Sequence, residues 1–170
     1  MFEQTYKLVK FFEDAQKING RKKLQKMIHL LQSAGEDFDM DYYYHYYGPY
    51  SSDLQLEVQY LGERGFLNEE KVGDSFTYEI TGKGKQFLRN YEETIGNKQL
   101  CNQELTGMID KLKSNNPHFL ELLSTYVYLI ESGYDKQSAI KKAKELKPDL
   151  SYLLSGVIDF FEDNLEGTAN

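Results

Sequence analysis

One cysteine in 170 residues, Cys101, is too few for an internal disulfide, and a lone thiol fits a reducing compartment. Long apolar runs are also missing. The richest stretch, LLSTYVYLI, falls far short of the roughly 20 residues that cross a bilayer. The opening MFEQTYKLVKFFEDAQ mixes acids among its apolar residues and is not expected to be a signal peptide. These absences predict a soluble, cytoplasmic protein. At this length the chain fits one domain, or one domain with a helical extension, and can bury a core without staples.

Basic charge is scarce as well. The net charge is −7, from 20 Lys and Arg against 27 Asp and Glu, and the acidic surplus is spread over both halves. A nonspecific nucleic-acid binder draws most of its affinity from neutralised phosphates, and that footprint is absent.

Catalytic and metal motifs are lacking too. His29, His45 and His118 lie far apart, in no HxxxH or CxxC arrangement. Cys101 has no histidine near it in sequence. Ser51-Ser52 sits in no G-x-S-x-G elbow. Gly82-Lys83-Gly84-Lys85 does not satisfy GxxxxGK[ST], and a strand-to-helix junction accounts for it better. No catalytic, cofactor-binding or metal-ligating residue is assigned, and the chain is not read as an enzyme.

What is abundant is tyrosine, 14 residues, six of them in MDYYYHYYGPYSSDL. Aromatic residues favour pleated strands. As one strand, Tyr42, Tyr44 and Tyr46 would face one side and Tyr43, His45 and Tyr47 the other, with Gly48-Pro49 ending it. Such a strand packs its rings and keeps its hydroxyls wet. An aromatic platform for bases is the alternative, though Glu36, Asp37, Asp39 and Asp41 flank the run and oppose phosphate.

Hydrophobic spacing predicts the remaining elements. Phe2, Tyr6, Val9 and Phe12 mark a first helix, closed by Asn19-Gly20. Leu24, Met27, Ile28 and Leu31 mark a second, stopped at Ala34-Gly35. Ser52 with Gln55 makes a capping box for a third helix to about Arg64, buried through Leu54, Val58 and Leu61. FLNEE and SFTYEI bracket a turn around Gly73-Asp74, and Thr81 caps a helix beyond it. Gly96-Asn97 marks a hinge. Helices follow at about 102–114, 117–131, 135–146 and 149–163. The last carries Leu150, Leu153, Leu154, Val157, Ile158 and Phe161, with Tyr152 and Phe160 beside this stripe.

This order gives an α+β fold, with a winged-helix-like domain over 1–95 and a helical C-terminal lobe over 98–170. The phrases GRKKLQKMIHLLQ, YYHYYGPYSSDL, YLGERGFL, YEITGKGKQFL and ELKPDLS together resemble the YwgA-like family of uncharacterised bacterial proteins. A more distant likeness is to the SocA-like, or Panacea, antitoxin domain. It rests on Lys23-Leu24-Gln25-Lys26 and on Tyr47-Gly48-Pro49, and it implies an antitoxin or proteolysis-adaptor role exercised by protein contact.

Lys17, Arg21, Lys22, Lys23 and Lys26 form a basic cluster that Lys83, Lys85 and Arg89 could extend. Positive charge at a helix start opposes the macrodipole, so helix stability does not explain it. It is either a solvated lysine-rich face or a surface for acidic partners or phosphate. Gln55 and Gln59 share one helix face and suit base readout, but Asp53, Glu57 and Glu63 weaken approach to phosphate. Residues 34–50 also separate helices that a helix-turn-helix joins by 3–4 residues. The favoured function is a regulatory or adaptor protein binding another protein or a second copy of itself. The alternative is a winged-helix transcriptional regulator on DNA. Arg21, Lys22, Lys23, Lys26, Tyr43, Tyr47, Gln55 and Gln59 are the candidate contacts.

Overall fold

A computed structural model describes residues 2–95 and 103–167. The expected hinge at Gly96-Asn97 and the thiol of Cys101 lie outside them. The fold is mixed α+β, mostly helical, with two small antiparallel sheets. Among the described residues, no helix is long and apolar enough to cross a membrane.

The first helix, α1 (Phe2–Ala15), ends at Gln16, whose φ of 64° turns the chain into a strand, β1 (Lys17–Asn19). The sequence pattern gave no sign of β1, because only Ile18 of its three residues points inward. Helix α2 (Arg21–Ser33) follows. Each residue from Leu24 to Leu31 is buried. So is each residue from Leu120 to Val127 on α6 (Pro117–Glu131). Helices buried all round belong at the centre of a core, and these two pack on each other.

Between α2 and the third helix the tyrosine run departs from the expected single strand. It is a hairpin of β2 (Tyr43–His45) and β3 (Gly48–Tyr50), turning at Tyr46-Tyr47. Tyr44 pairs with Pro49, and His45 with Gly48. Gly48-Pro49 therefore opens the return strand instead of ending the first. Gly48 has φ +90°, and a Cβ there would lie 3.0 Å from Thr125 Oγ1. Glycine suits both demands.

Helix α3 (Ser52–Glu63) is capped by Ser51, not Ser52: the Ser51 hydroxyl accepts from Leu54 N–H at 3.2 Å. The residues expected in the core from these helices, Leu24, Met27, Leu31, Leu54, Val58 and Leu61, are all buried. Burying such side chains contributes about 1.5–3 kcal/mol each.

Strands β4 (Leu67–Val72) and β5 (Ser75–Ile80) form the second hairpin, and β1 joins it to give the order β1-β5-β4. Thr81 caps α4 (Gly82–Ile95) by accepting from Gly84 N–H at 3.0 Å. Helices α5 (Gln103–Lys113), α6 and α7 (Lys136–Leu146) come next. The helix expected over 149–163 is divided. A 3₁₀ helix, Pro148–Leu153, precedes α8 (Leu154–Asn164). Pro148 disfavours the α conformation at Lys147, which stands at φ −131° and ψ 62° and forces the break. One continuous core runs from Tyr6 to Leu165 through both halves of the chain.

Candidate functional site

Helix α2 sends four cationic side chains toward four different elements. Arg21 lies over the Phe76 ring, 3.7 Å from its centroid, and 3.7 Å from Glu69 on β4. Lys22 pairs with Glu121 on α6. Lys23 donates to the Lys113 carbonyl at 2.5 Å, at the end of α5. Lys26 donates to the Pro49 carbonyl on β3, also at 2.5 Å. Tertiary docking is thus why positive charge opens this helix against its dipole.

The first hairpin is held at several points. Gln25 bonds both backbone groups of Ser51. Tyr42 donates its hydroxyl to the Gln25 carbonyl at 3.2 Å. From the other side Lys147 donates to the Tyr46 carbonyl at 2.7 Å. Lys147 also meets Glu121 Oε1 at 2.7 Å, so this one carboxylate takes an ammonium on each oxygen. Burial works against the Glu121 charge, but hydrogen bonds from Lys147 and Lys22 outweigh it and hold the carboxyl below its usual range. Burial pulls the Lys26 ammonium down to about 7, with Glu121 opposing the shift and Lys22 and Lys147 adding to it.

Two cavities flank this hairpin. The larger, about 700 Å³, is lined by Arg21, Lys22, Lys26, Tyr47, Tyr50 and Gln55, together with Gln25, His45 and Gly48. The smaller, about 480 Å³, lies between the hairpin and the 146–150 segment and includes Glu121, Lys147 and His118. Tyr47 and His45 border both.

Five of the eight expected contacts meet at the larger cavity: Arg21, Lys22, Lys26, Tyr47 and Gln55. Three do not line it. Lys23 is turned away toward α5. Tyr43 packs its ring edge-on against Tyr50, with centroids 5.9 Å apart. Gln59 stands one turn further along α3 and donates to Glu63. Neither Lys17 of the basic cluster nor its suggested extension reaches it. Lys17 and Lys85 line a separate cavity with Glu13 and Glu79, Lys83 stands over Phe66, and Arg89 is bonded to Gln86. Sequence reasoning missed Gln25, Tyr50, Glu121 and Lys147. The first two had a local signal, being in the same phrases as Lys26 and Pro49.

A second polar cluster has the composition of a hydrolase triad without its access. His29 Nδ1 is 2.7 Å from Ser124 Oγ, and Nε2 is 3.5 Å from Glu131 Oε1. His29 and Ser124 are buried between α2 and α6, and neither lines the cavities beside the hairpin. Burial, with Lys26 adding to it, lowers His29 to about 3, so the ring stays neutral near pH 7. It serves as a packed core group. Among the described residues no cluster of three or more His, Cys, Asp or Glu is placed to hold a metal ion.

Fold and cavities define an α+β protein whose central helix anchors a tyrosine hairpin beside a cationic, aromatic recess. No family model matches the sequence. Over 156 residues the chain is 36% identical to the uncharacterized protein YwgA of Bacillus subtilis strain 168, an alignment covering 89% of each chain. The chain belongs to the YwgA family.

Proposed function

We propose that the chain is a non-enzymatic regulatory or adaptor protein that acts by protein contact, with the tip of the tyrosine hairpin as its docking point. The carrying observation is the exposure of Tyr46 and Tyr47, 78% and 58%, on a hairpin fixed from both sides by lysine-to-carbonyl bonds, the one from Lys26 buried. Tyrosine is enriched in binding hot spots, because it buries much area while ordering only two torsions. A rigid mount lowers that ordering cost further. The distant likeness to antitoxin domains supports the same role.

The N-terminal lobe is read as winged-helix-like. Its support is the order α1, β1, α2, α3, β4, β5, with β1 added to the second hairpin. DNA binding is the second reading, favoured by Gln55 beside Arg21 at the head of α3. Two features weigh against it. The β2–β3 hairpin occupies the joint where a helix-turn-helix has a short turn. The wing exposes Glu69, Glu70, Asp74 and Glu79, which repel phosphate.

Affinity capture in the native host, comparing wild type with a Tyr46→Ala/Tyr47→Ala variant of equal melting temperature, tests the proposal. A partner, or a second copy of the chain, held by wild type and lost by the variant is the expected result. Capture indifferent to both tyrosines, beside a salt-resistant nanomolar complex with duplex DNA, would promote the DNA reading.

A further inference from the structure

We infer that the larger hairpin cavity is a binding site for a small anion bearing a flat ring, of the nucleoside phosphate class. This goes beyond the docking role of the hairpin tip. The first ground is size. About 700 Å³ falls within the 300–1,000 Å³ typical of small-molecule sites.

The second ground is charge. In a chain of net charge −7, no carboxylate among the described residues lines this cavity, while Arg21, Lys22 and Lys26 do. Arg21 keeps about half of its side chain exposed (47%), and its planar fork suits phosphate oxygens. Helix α2 starts at Gly20 with no side-chain cap, so its positive dipole end adds to the same field. Glu121 is already shared by two ammoniums, Lys22 and Lys147, and Lys26 stands beside it bonded to the Pro49 carbonyl.

The third ground is the walls. Tyr47 and Tyr50 line it with aromatic rings, and His45 lies 5.5 Å from Tyr50 between ring centroids. Flat rings of this kind stack a base whatever its identity. Gln55 also lines the cavity, and its amide makes no hydrogen bond within the described residues. A free amide carries both a donor and an acceptor, as the edge of a base requires. Cationic groups for phosphate, flat walls for a ring and an amide for its edge are thus brought together by α2, the hairpin and α3.

The test is calorimetry and thermal melting with the four ribonucleoside monophosphates, using adenosine and inorganic phosphate as half-ligands. At least one nucleotide should bind with Kd of about 1–100 μM and raise the melting temperature by about 3–16 °C at about 1 mM. Adenosine and phosphate should each bind at least about tenfold weaker, because each lacks one half of the contacts. Arg21→Gln should weaken the nucleotide at least about tenfold with little change in the free protein's melting. If that variant melts early, Gln55→Ala decides, since the side chain has no partner to lose. Tyr46→Ala, outside this cavity, should leave nucleotide affinity unchanged, so the docking and ligand readings fail separately. No binding by any nucleotide at about 1 mM, phosphate binding as tightly as nucleotide, or an acidic peptide filling the site without displacement by nucleotide would overturn the inference.

Discussion

The side-chain amide of Gln25 forms a two-point ring with the backbone of Ser51. Its Nε2 donates to the Ser51 carbonyl at 2.9 Å, and its Oε1 accepts from the Ser51 N–H at 2.9 Å. Both residues are buried, and the Ser51 hydroxyl caps α3. One glutamine on α2 therefore fixes where the tyrosine hairpin ends and where α3 begins.

Gln25→Leu keeps the volume but leaves the buried Ser51 N–H unpaired and the Ser51 carbonyl with only the long bond from Gln55 N–H at 3.4 Å, a lost partner costing about 1–3 kcal/mol. The expected loss is about 2–4 kcal/mol, read as a fall of about 5–15 °C in melting temperature. A variant melting with wild type would show that the pair contributes nothing to joining α2 to α3.

Lys26 should make stability depend on pH in an unusual direction. Its folded pKa, about 7, lies below the ordinary 10.5 because the ammonium is buried. Below pH 7 both states hold the proton, and the burial cost is fully present. Between about 7 and 10.5 the unfolded chain keeps a proton that the folded chain has released, so stability rises with pH in that window. The rise is on the order of 5 kcal/mol between the limits. Denaturant midpoints at about pH 6.5 and 9.5 should show wild type gaining on Lys26→Met as pH rises, since only wild type carries the titrating group. Parallel profiles would mean that the ammonium stays charged beside Glu121.

The parts legible in the sequence are those written in a local period. Helices α1, α2 and α3 follow from apolar residues at three- and four-residue steps, and their core positions follow with them. The hairpin at 43–50 was not legible as a hairpin. Its turn falls on Tyr46-Tyr47, with no Gly, Asn or Asp at either position to signal reversal, and the glycine lies one residue later. The site was half legible. Lys22 and Lys26 stood out, yet a buried lysine and a surface lysine read alike in a sequence. Their counterparts Glu121 and Lys147 lie about a hundred residues away, and no spacing rule links groups so far apart.

Two glycines separated by one residue in the phrase TGKGK, Gly82 and Gly84, should differ sharply on substitution. A Cβ on Gly84 would fall 2.4 Å from the Phe66 carbonyl oxygen, a backbone atom that cannot swing aside. One on Gly82 would meet nothing within 4 Å. Gly84→Ala should cost about 2–4 kcal/mol by forcing α4 off the second hairpin. Gly82→Ala should be neutral or stabilising by up to about 1 kcal/mol, because alanine restricts the unfolded chain. Chemical denaturation of the two variants side by side checks the contrast, and equal costs would refute the close-approach explanation.

Phe160 and Tyr152 test whether the C-terminal aromatic surface faces inward or outward. Phe160 is half-buried, its ring edge-on to Phe119 with centroids 5.9 Å apart. Tyr152 is 75% exposed on the 3₁₀ helix. Phe160→Glu places a charge against Phe119 and should cost about 2 kcal/mol or more, lowering the melting temperature by about 4–8 °C at every protein concentration. Tyr152→Glu should change stability by less than about 0.5 kcal/mol. Sedimentation run beside the melts separates the possible roles of the two rings. If Phe160→Glu melts with wild type and changes only the sedimentation coefficient, its ring belongs to an interface between copies of the chain. If Tyr152→Glu alone shifts sedimentation at unchanged melting temperature, the dimer contact lies on the 3₁₀ helix and Phe160 remains internal core.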